Sequence, residues 1–89
     1  MTDAYFSLSV LANQQPHARL GLAIATRTCG TAVVRNYLKR LTRESFRHNQ
    51  HLLPSVDVTV AARDAAKNAP ANALRASLEK HWKSITRQW

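Results

Sequence analysis

The stretch from Val34 to Arg47 reads as a single element that cannot stand alone. Wound as an α-helix at roughly 100° per residue, it gathers Arg35, Asn36, Lys39, Arg40, Arg43 and Arg47 within an arc of about 140°, with Val34, Tyr37, Leu38 and Leu41 opposite. The apolar side has to be laid on another apolar surface. The polar side presents four arginines, a lysine and an asparagine. Guanidinium forks hold phosphate bidentately and also stack on unpaired bases. Glu44 is the only acid in the run and stands on the border of the two sides, where it is expected to steady Arg40, Arg47 and His48. A helix face that is merely solvated normally mixes both signs, and this one does not.

The rest of the chain supplies the surface. Phe6, Leu8 and Val10 alternate with Ser7 and Ser9, the period of a strand with one buried side, and Asn13 to His17 is a polar turn. From Arg19 to Thr28 the alternation resumes, with Leu20, Leu22 and Ile24 on one side and Gly21, Ala23 and Ala25 on the other. The two runs are expected to pair as an antiparallel hairpin. The small side is expected to receive a packed element, the alternative being an extended ligand. Thr31 or Thr28 would cap the basic helix, and Pro54 forbids its continuation. Val56 to Ala62 is β-branched and alternating, so a strand, a helix and a strand follow one another and a crossover places the third strand beside the earlier sheet. After Pro70, Leu74, Leu78, Trp82, Ile85 and Trp89 recur at helical spacing as a core stripe, with Arg75, Lys80, Lys83 and Arg87 opposite. No repeat or linker divides the chain, and residues 1–89 are expected to form one domain.

Charge sets the partner class. Thirteen Lys and Arg against five Asp and Glu leave a formal charge of +8, which attracts polyanions, nucleic acid foremost. No apolar run is long enough to span a bilayer, and no secretory signal is legible at Met1-Thr2-Asp3-Ala4-Tyr5. The single cysteine, Cys29, fits a reducing compartment, so the cytoplasm is the expected location and Cys29 itself reads as a small apolar filler.

Catalytic constellations are missing. Asp3, Glu44, Asp57, Asp64 and Glu79 are scattered, no zinc motif or phosphate loop is present, and His48 and His51 read as polar residues at a helix end. A stand-alone nuclease using His48, His51 or Glu44 is the competing reading. The residues favour a binder of nucleic acid, with no catalytic residue and no metal ligand assigned.

The string Gly30-x-Ala32-Val33-x-Arg35-Asn36-x-x-Lys39-Arg40-x-x-Arg43-Glu44-x-Phe46-Arg47 closely resembles the signature of the bacterial ribonuclease P protein component. Arg19 to Ala25, Leu53-Pro54-x-x-Asp57-Val58 and the tryptophan-bearing last helix fit the same family. The resemblance implies an α/β (α+β) two-layer sandwich, a small sheet carrying the basic helix in a left-handed strand-helix-strand crossover and a C-terminal helix. General topology would have favoured the right-handed form. It also implies a protein subunit that joins a catalytic RNA to remove the 5′ leader of precursor tRNA. Magnesium would be held mainly by that RNA, with no cofactor intrinsic to the protein and no activity of the protein alone. Arg35, Asn36, Lys39, Arg40 and Arg43 match the arginine-rich motif and would meet the catalytic RNA, with Arg47 and Arg27 extending the contact.

Three positions depart from the family pattern. Where relatives carry a basic, aromatic-containing helix before the first long strand, this chain starts at Met1 almost on the strand. A shortened N-terminus is therefore expected, with leader recognition weakened and apolar sheet surface uncovered for a homodimer or strand exchange. A truncated, dimerising homolog with nonspecific RNA binding is the alternative. Thr26 stands where a lysine is common, with Arg27 keeping a charge beside it, and Ser9 occupies a position where some relatives place an aromatic. Tyr5, Phe6 and Ser9 are the candidates for the leader cleft, although Phe6 and Ser9 point to opposite sides of a regular strand.

Overall fold

The computed structural model of the chain describes residues 1–25, 27 and 30–89. Thr26, Thr28 and Cys29, expected to be a lost phosphate partner, an alternative cap and an apolar filler, lie outside the described residues. The elements are β1 (Phe6–Ala12), β2 (Arg19–Leu22), α1 (Ala32–Asn49) with a 3-10 turn at Gln50–Leu52, β3 (Val56–Ala62), a 3-10 turn at Asp64–Asn68, and α2 (Ala71–Gln88).

The strand order is β1-β3-β2, which corrects the expected hairpin: β1 and β2 do not pair with each other. β3 lies between them, antiparallel to β1 with Phe6 opposite Ala62 and Val10 opposite Val58, and parallel to β2 with Leu20 opposite Val58. β1 and β2 still run in opposite directions, as hairpin arms do, but stand a strand apart. The physical reason lies in β3. Its Val56, Val58 and Val60 are almost wholly buried, and a strand this apolar is best satisfied with both edges paired. The connection from β1 to β2 bridges the gap of about 10 Å, two strand spacings, by bonding to the start of β3. Asn13 N donates to Ser55 O at 3.1 Å, and Asn13 Nδ2 donates to Asp57 Oδ1 at 3.0 Å. β2 also ends sooner than its alternation suggests. After Ala23 N donates to Val60 O the chain leaves the ladder, and Ile24 drops into the core.

Both helices cover one face of the sheet. Phe6 and Leu8 of β1, the valines of β3, Leu38 and Leu41 of α1 and Leu74, Leu78, Trp82 and Ile85 of α2 form one core. Phe46 and Trp82 meet edge to face, with centroids 5.7 Å apart at 72°. Trp89, expected in the stripe, comes after the last residue of α2 and is 51% exposed.

The chain start is tied down by Asp3. Its Oδ1 accepts from Tyr5 N and Phe6 N, both at 2.9 Å, its Oδ2 accepts from Ser77 Oγ of α2, and buried His81 brings Nε2 to 3.2 Å without the alignment of a hydrogen bond. Burial pushes the Asp3 carboxyl up, but the bonds from Ser77, Phe6 and Tyr5 and the charge of His81 outweigh it and hold the pKa at about 2. Leu8 N donates to Met1 O at 2.7 Å and Thr2 bridges to Ser7, so the outer edge of β1 is partly occupied. Among the described residues no helix is long and apolar enough to cross a membrane.

Candidate nucleic-acid interface

The orientation of α1 follows from its buried side. Thr31 caps the helix as expected, its Oγ1 accepting from Val34 N at 3.2 Å, and Gly30 reaches φ +85°, a left-handed conformation that suits glycine. Leu38, Leu41, Thr42, Ser45 and Phe46 turn inward. Two cross-helix bonds then fix the rotation: Trp82 Nε1 donates to Ser45 Oγ at 2.9 Å, and Asn49 Nδ2 donates to Glu79 Oε1 at 3.2 Å. Asn36, Arg40, Arg43 and Arg47 are thereby exposed as a stripe at spacings of four, three and four.

Arg35 and Lys39 stand at the flank, half-buried. Arg35 Nε donates to Ile24 O at 2.7 Å, so this guanidinium also holds the segment after β2 against the helix. Sequence reasoning took Arg35 only as an RNA contact, because nothing in the spacing announces a backbone acceptor eleven residues away. Lys39, Arg43 and Arg47 overhang a groove of about 400 Å³ floored by Leu20, Leu22 and Phe46. Arg27 is exposed as well. Glu44 does not steady its neighbours as expected. Among the described residues the only charge contacts within 4.0 Å are Arg19–Asp57 and His81–Asp3, so the cations of α1 have no carboxylate partner there, and Arg40, Arg43 and Arg47 are exposed.

The second candidate surface is the other face of the sheet. The register lines up Ser9, Thr59 and Gly21 across it, flanked by Ser7 and Ala61 and by Leu11, Asp57 and Arg19. Gly21, Ala23 and Ala25 are exposed, so no element of the described residues covers the small side, contrary to the expectation of a packed element. Nor is an extended apolar surface uncovered: Leu11, 70% exposed, is the one large apolar side chain of β1, β2 and β3 on that face. Arg19 clasps Asp57 through Nε at 2.8 Å and Nη2 at 2.9 Å. The bonds from Arg19 and Asn13 hold the Asp57 carboxyl at about 2, so the acid on this face stays ionised and paired.

Of the leader-cleft candidates, Ser9 lies on this open face, Tyr5, just before β1, is half-buried and packed against the core, and Phe6 is fully buried under the helices. Phe6 is therefore a core residue and is withdrawn from the cleft, because strand alternation turns it away from Ser9. His48 and His51 are exposed at the end of α1 and in the following turn. Among the described residues no three His, Cys, Asp or Glu side chains are grouped to hold a metal.

Known proteins resemble this arrangement closely. The family model described as Ribonuclease P matches residues 1–86. The ribonuclease P protein component of Methylococcus capsulatus is 40% identical over 87 residues, covering 98% of this chain and 68% of the relative. That of Thioalkalivibrio sulfidiphilus is 46% identical over 87 residues, covering 97% and 72%. Among solved structures, a Staphylococcus aureus RNase P protein mutant with defective mRNA degradation activity superposes with a TM-score of 0.86 at 32% identity, covering 98% of this chain and 73% of that one. The Thermotoga maritima RNase P protein in complex with 1-(4-fluorophenyl)-2-thiourea gives 0.87 at 30% identity, covering 96% and 83%. With its mixed three-stranded sheet, two helices and unpaired cationic stripe, the chain belongs to the ribonuclease P protein component family.

Proposed function

We propose that the chain works as the protein subunit of the ribonuclease P ribonucleoprotein, with α1 seated on the catalytic RNA and the open face of the sheet toward the 5′ leader of precursor tRNA. The observation that carries this reading is the stripe of Asn36, Arg40, Arg43 and Arg47, exposed on a helix held in place by its buried side. Unpaired guanidinium groups at that spacing meet successive phosphates without first giving up an internal partner. The open face suits an extended single strand for a different reason. Its small side chains let a backbone approach, and Ser7, Ser9 and Thr59 offer hydroxyls in place of aromatic platforms.

Catalysis in this reading belongs to the RNA, which holds the magnesium ions. The protein supplies a positive field that offsets phosphate repulsion as RNA and substrate come together. The test is cleavage of a 5′-extended precursor tRNA at low magnesium, with catalytic RNA alone, with protein alone and with both. Stimulation only by the combination is expected. Cleavage by the protein alone that is lost in His48→Ala and His51→Ala would transfer the chemistry to the protein and overturn the proposal.

A further inference from the structure

A second groove, of about 650 Å³, opens on the other flank of α1 and is lined by Val33, Val34, Asn36, Tyr37, Arg40 and Lys67. Two elements distant in sequence build it: the first turns of α1 and the 3-10 turn Asp64–Asn68 that follows β3. Ala66, buried, anchors that turn and so sets where Lys67 stands. Tyr37 is half-buried, its body packed against the core, while Val33 beside it is 79% exposed. Among the described residues no carboxylate lines the groove, and its two cations come one from each element, Arg40 from α1 and Lys67 from the 3-10 turn.

We infer that this groove receives an unpaired nucleotide of the catalytic RNA, its base against Tyr37 and the valines and its phosphates between Arg40 and Lys67. An aromatic side chain held by core packing is a platform on which any base can stack, and flanking cations suit the phosphates on either side of it. Asn36 supplies an amide that can both donate to and accept from a base edge. The RNA concerned is the catalytic one because Asn36 and Arg40 also belong to the exposed stripe of α1, so groove and stripe form one continuous surface. The inference rests on the seating of α1 proposed above and adds Tyr37 and Lys67 to it.

The test compares the binding of catalytic RNA alone and of precursor tRNA alone by Tyr37→Leu, Tyr37→Phe and Lys67→Gln chains, across a series of salt concentrations. Circular dichroism checks that each variant is folded. Tyr37→Leu keeps an apolar side chain on the core but removes the ring, and is expected to weaken catalytic-RNA binding by roughly tenfold, within the range for one base stacked on an aromatic. Tyr37→Phe restores most of that affinity. Lys67→Gln lowers the salt slope by about 0.7, the value for one phosphate of a single strand. Equal affinity of Tyr37→Leu and the parent chain for catalytic RNA overturns the inference, as does a loss confined to precursor tRNA. If instead Arg40→Ala and Arg43→Ala are also without effect on catalytic-RNA binding, the seating of α1 itself fails, so the two failures are distinguishable.

Discussion

Replacing Arg40, Arg43 and Arg47 together by alanine removes three cations that touch no carboxylate among the described residues and, in the proposed complex, three phosphate contacts. Each phosphate neutralised on a duplex contributes about 0.9 to the slope of log K against log salt, so the triple variant should bind catalytic RNA with a slope shallower by about 2.7. Over a fourfold rise in salt one such contact is worth about 3.5-fold in affinity, and three are worth roughly 40-fold. The parent chain should therefore lose about 40 times more affinity than the variant between 50 and 200 mM salt. Stability offers no alternative explanation. Alanine is the strongest helix former, and like charges three and four residues apart repel, so the melting temperature should hold or rise. Fluorescence anisotropy with labelled catalytic RNA gives the slope. The control is Arg75, Lys80 and Lys83 on the exposed side of α2, replaced by alanine to the same loss of charge. Parallel slopes for the α1 variant and the parent chain, or equal changes for the two triple variants, would refute the assignment and leave only attraction by net charge.

Other substitutions separate scaffold from surface. Arg35→Met gives up the bond to Ile24 O and should cost about 1.5–3 kcal/mol of stability, seen as a lower melting temperature, because a charged donor is lost from a part-buried acceptor. Trp82→Ala empties a site that is 2% exposed and strands Ser45, at about 3–5 kcal/mol, enough to unfold much of a domain this size in a denaturant titration. Asp3→Asn tests the clasp at the chain start. The folded pKa of about 2 lies below the ordinary 3.8, so the contribution of Asp3 is fully present above about pH 4 and is lost as the pH falls toward 2. The gap of 1.8 corresponds to about 2.4 kcal/mol, reduced to roughly 1–2 because solvent still screens part of the carboxylate. Acid unfolding of Asp3→Asn should therefore be flatter across that window, and an unchanged profile would count against the clasp. Gly30→Ala, at φ +85° with open space around it, should lose about 1 kcal/mol to backbone strain alone.

The helices were legible because their apolar periodicity is long and their packing agrees with it. Leu38, Leu41, Leu74, Leu78, Trp82 and Ile85 are all buried where the pattern places them. The strands were legible as strands, but not in their pairing. Alternation in β1 and β2 identifies which side of each is apolar and says nothing about the neighbour, and the polar turn between them invited the hairpin. Only the burial of β3 on a two-sided ladder reveals that it lies in the middle. The cationic stripe could be read from spacing alone. The anchoring of Arg35, the turn that brings Lys67 beside Tyr37, and the bonds of Asp3 to α2 could not, because each depends on residues brought together by the tertiary fold. Phe6 shows that the alternation of the strand, which sets it opposite Ser9, outweighs its aromatic type: it is a residue of the core and not of the cleft.

The order β1-β3-β2 also governs how the chain can come together. Each ladder closes over a long stretch of chain, Phe6 with Ala62 on one edge and Leu22 with Val60 on the other, so no local hairpin is available as a first stable step. A ribosome that has delivered β1, β2 and the whole of α1 has yet to deliver the strand that unites them. Until Val56 to Ala62 arrives, the basic helix has no complete floor, and its apolar side and the edges of two strands are open at once. Sheet and helix are therefore expected to condense together and late, and a nascent chain stopped before Val56 should show neither the fold nor a correctly oriented stripe.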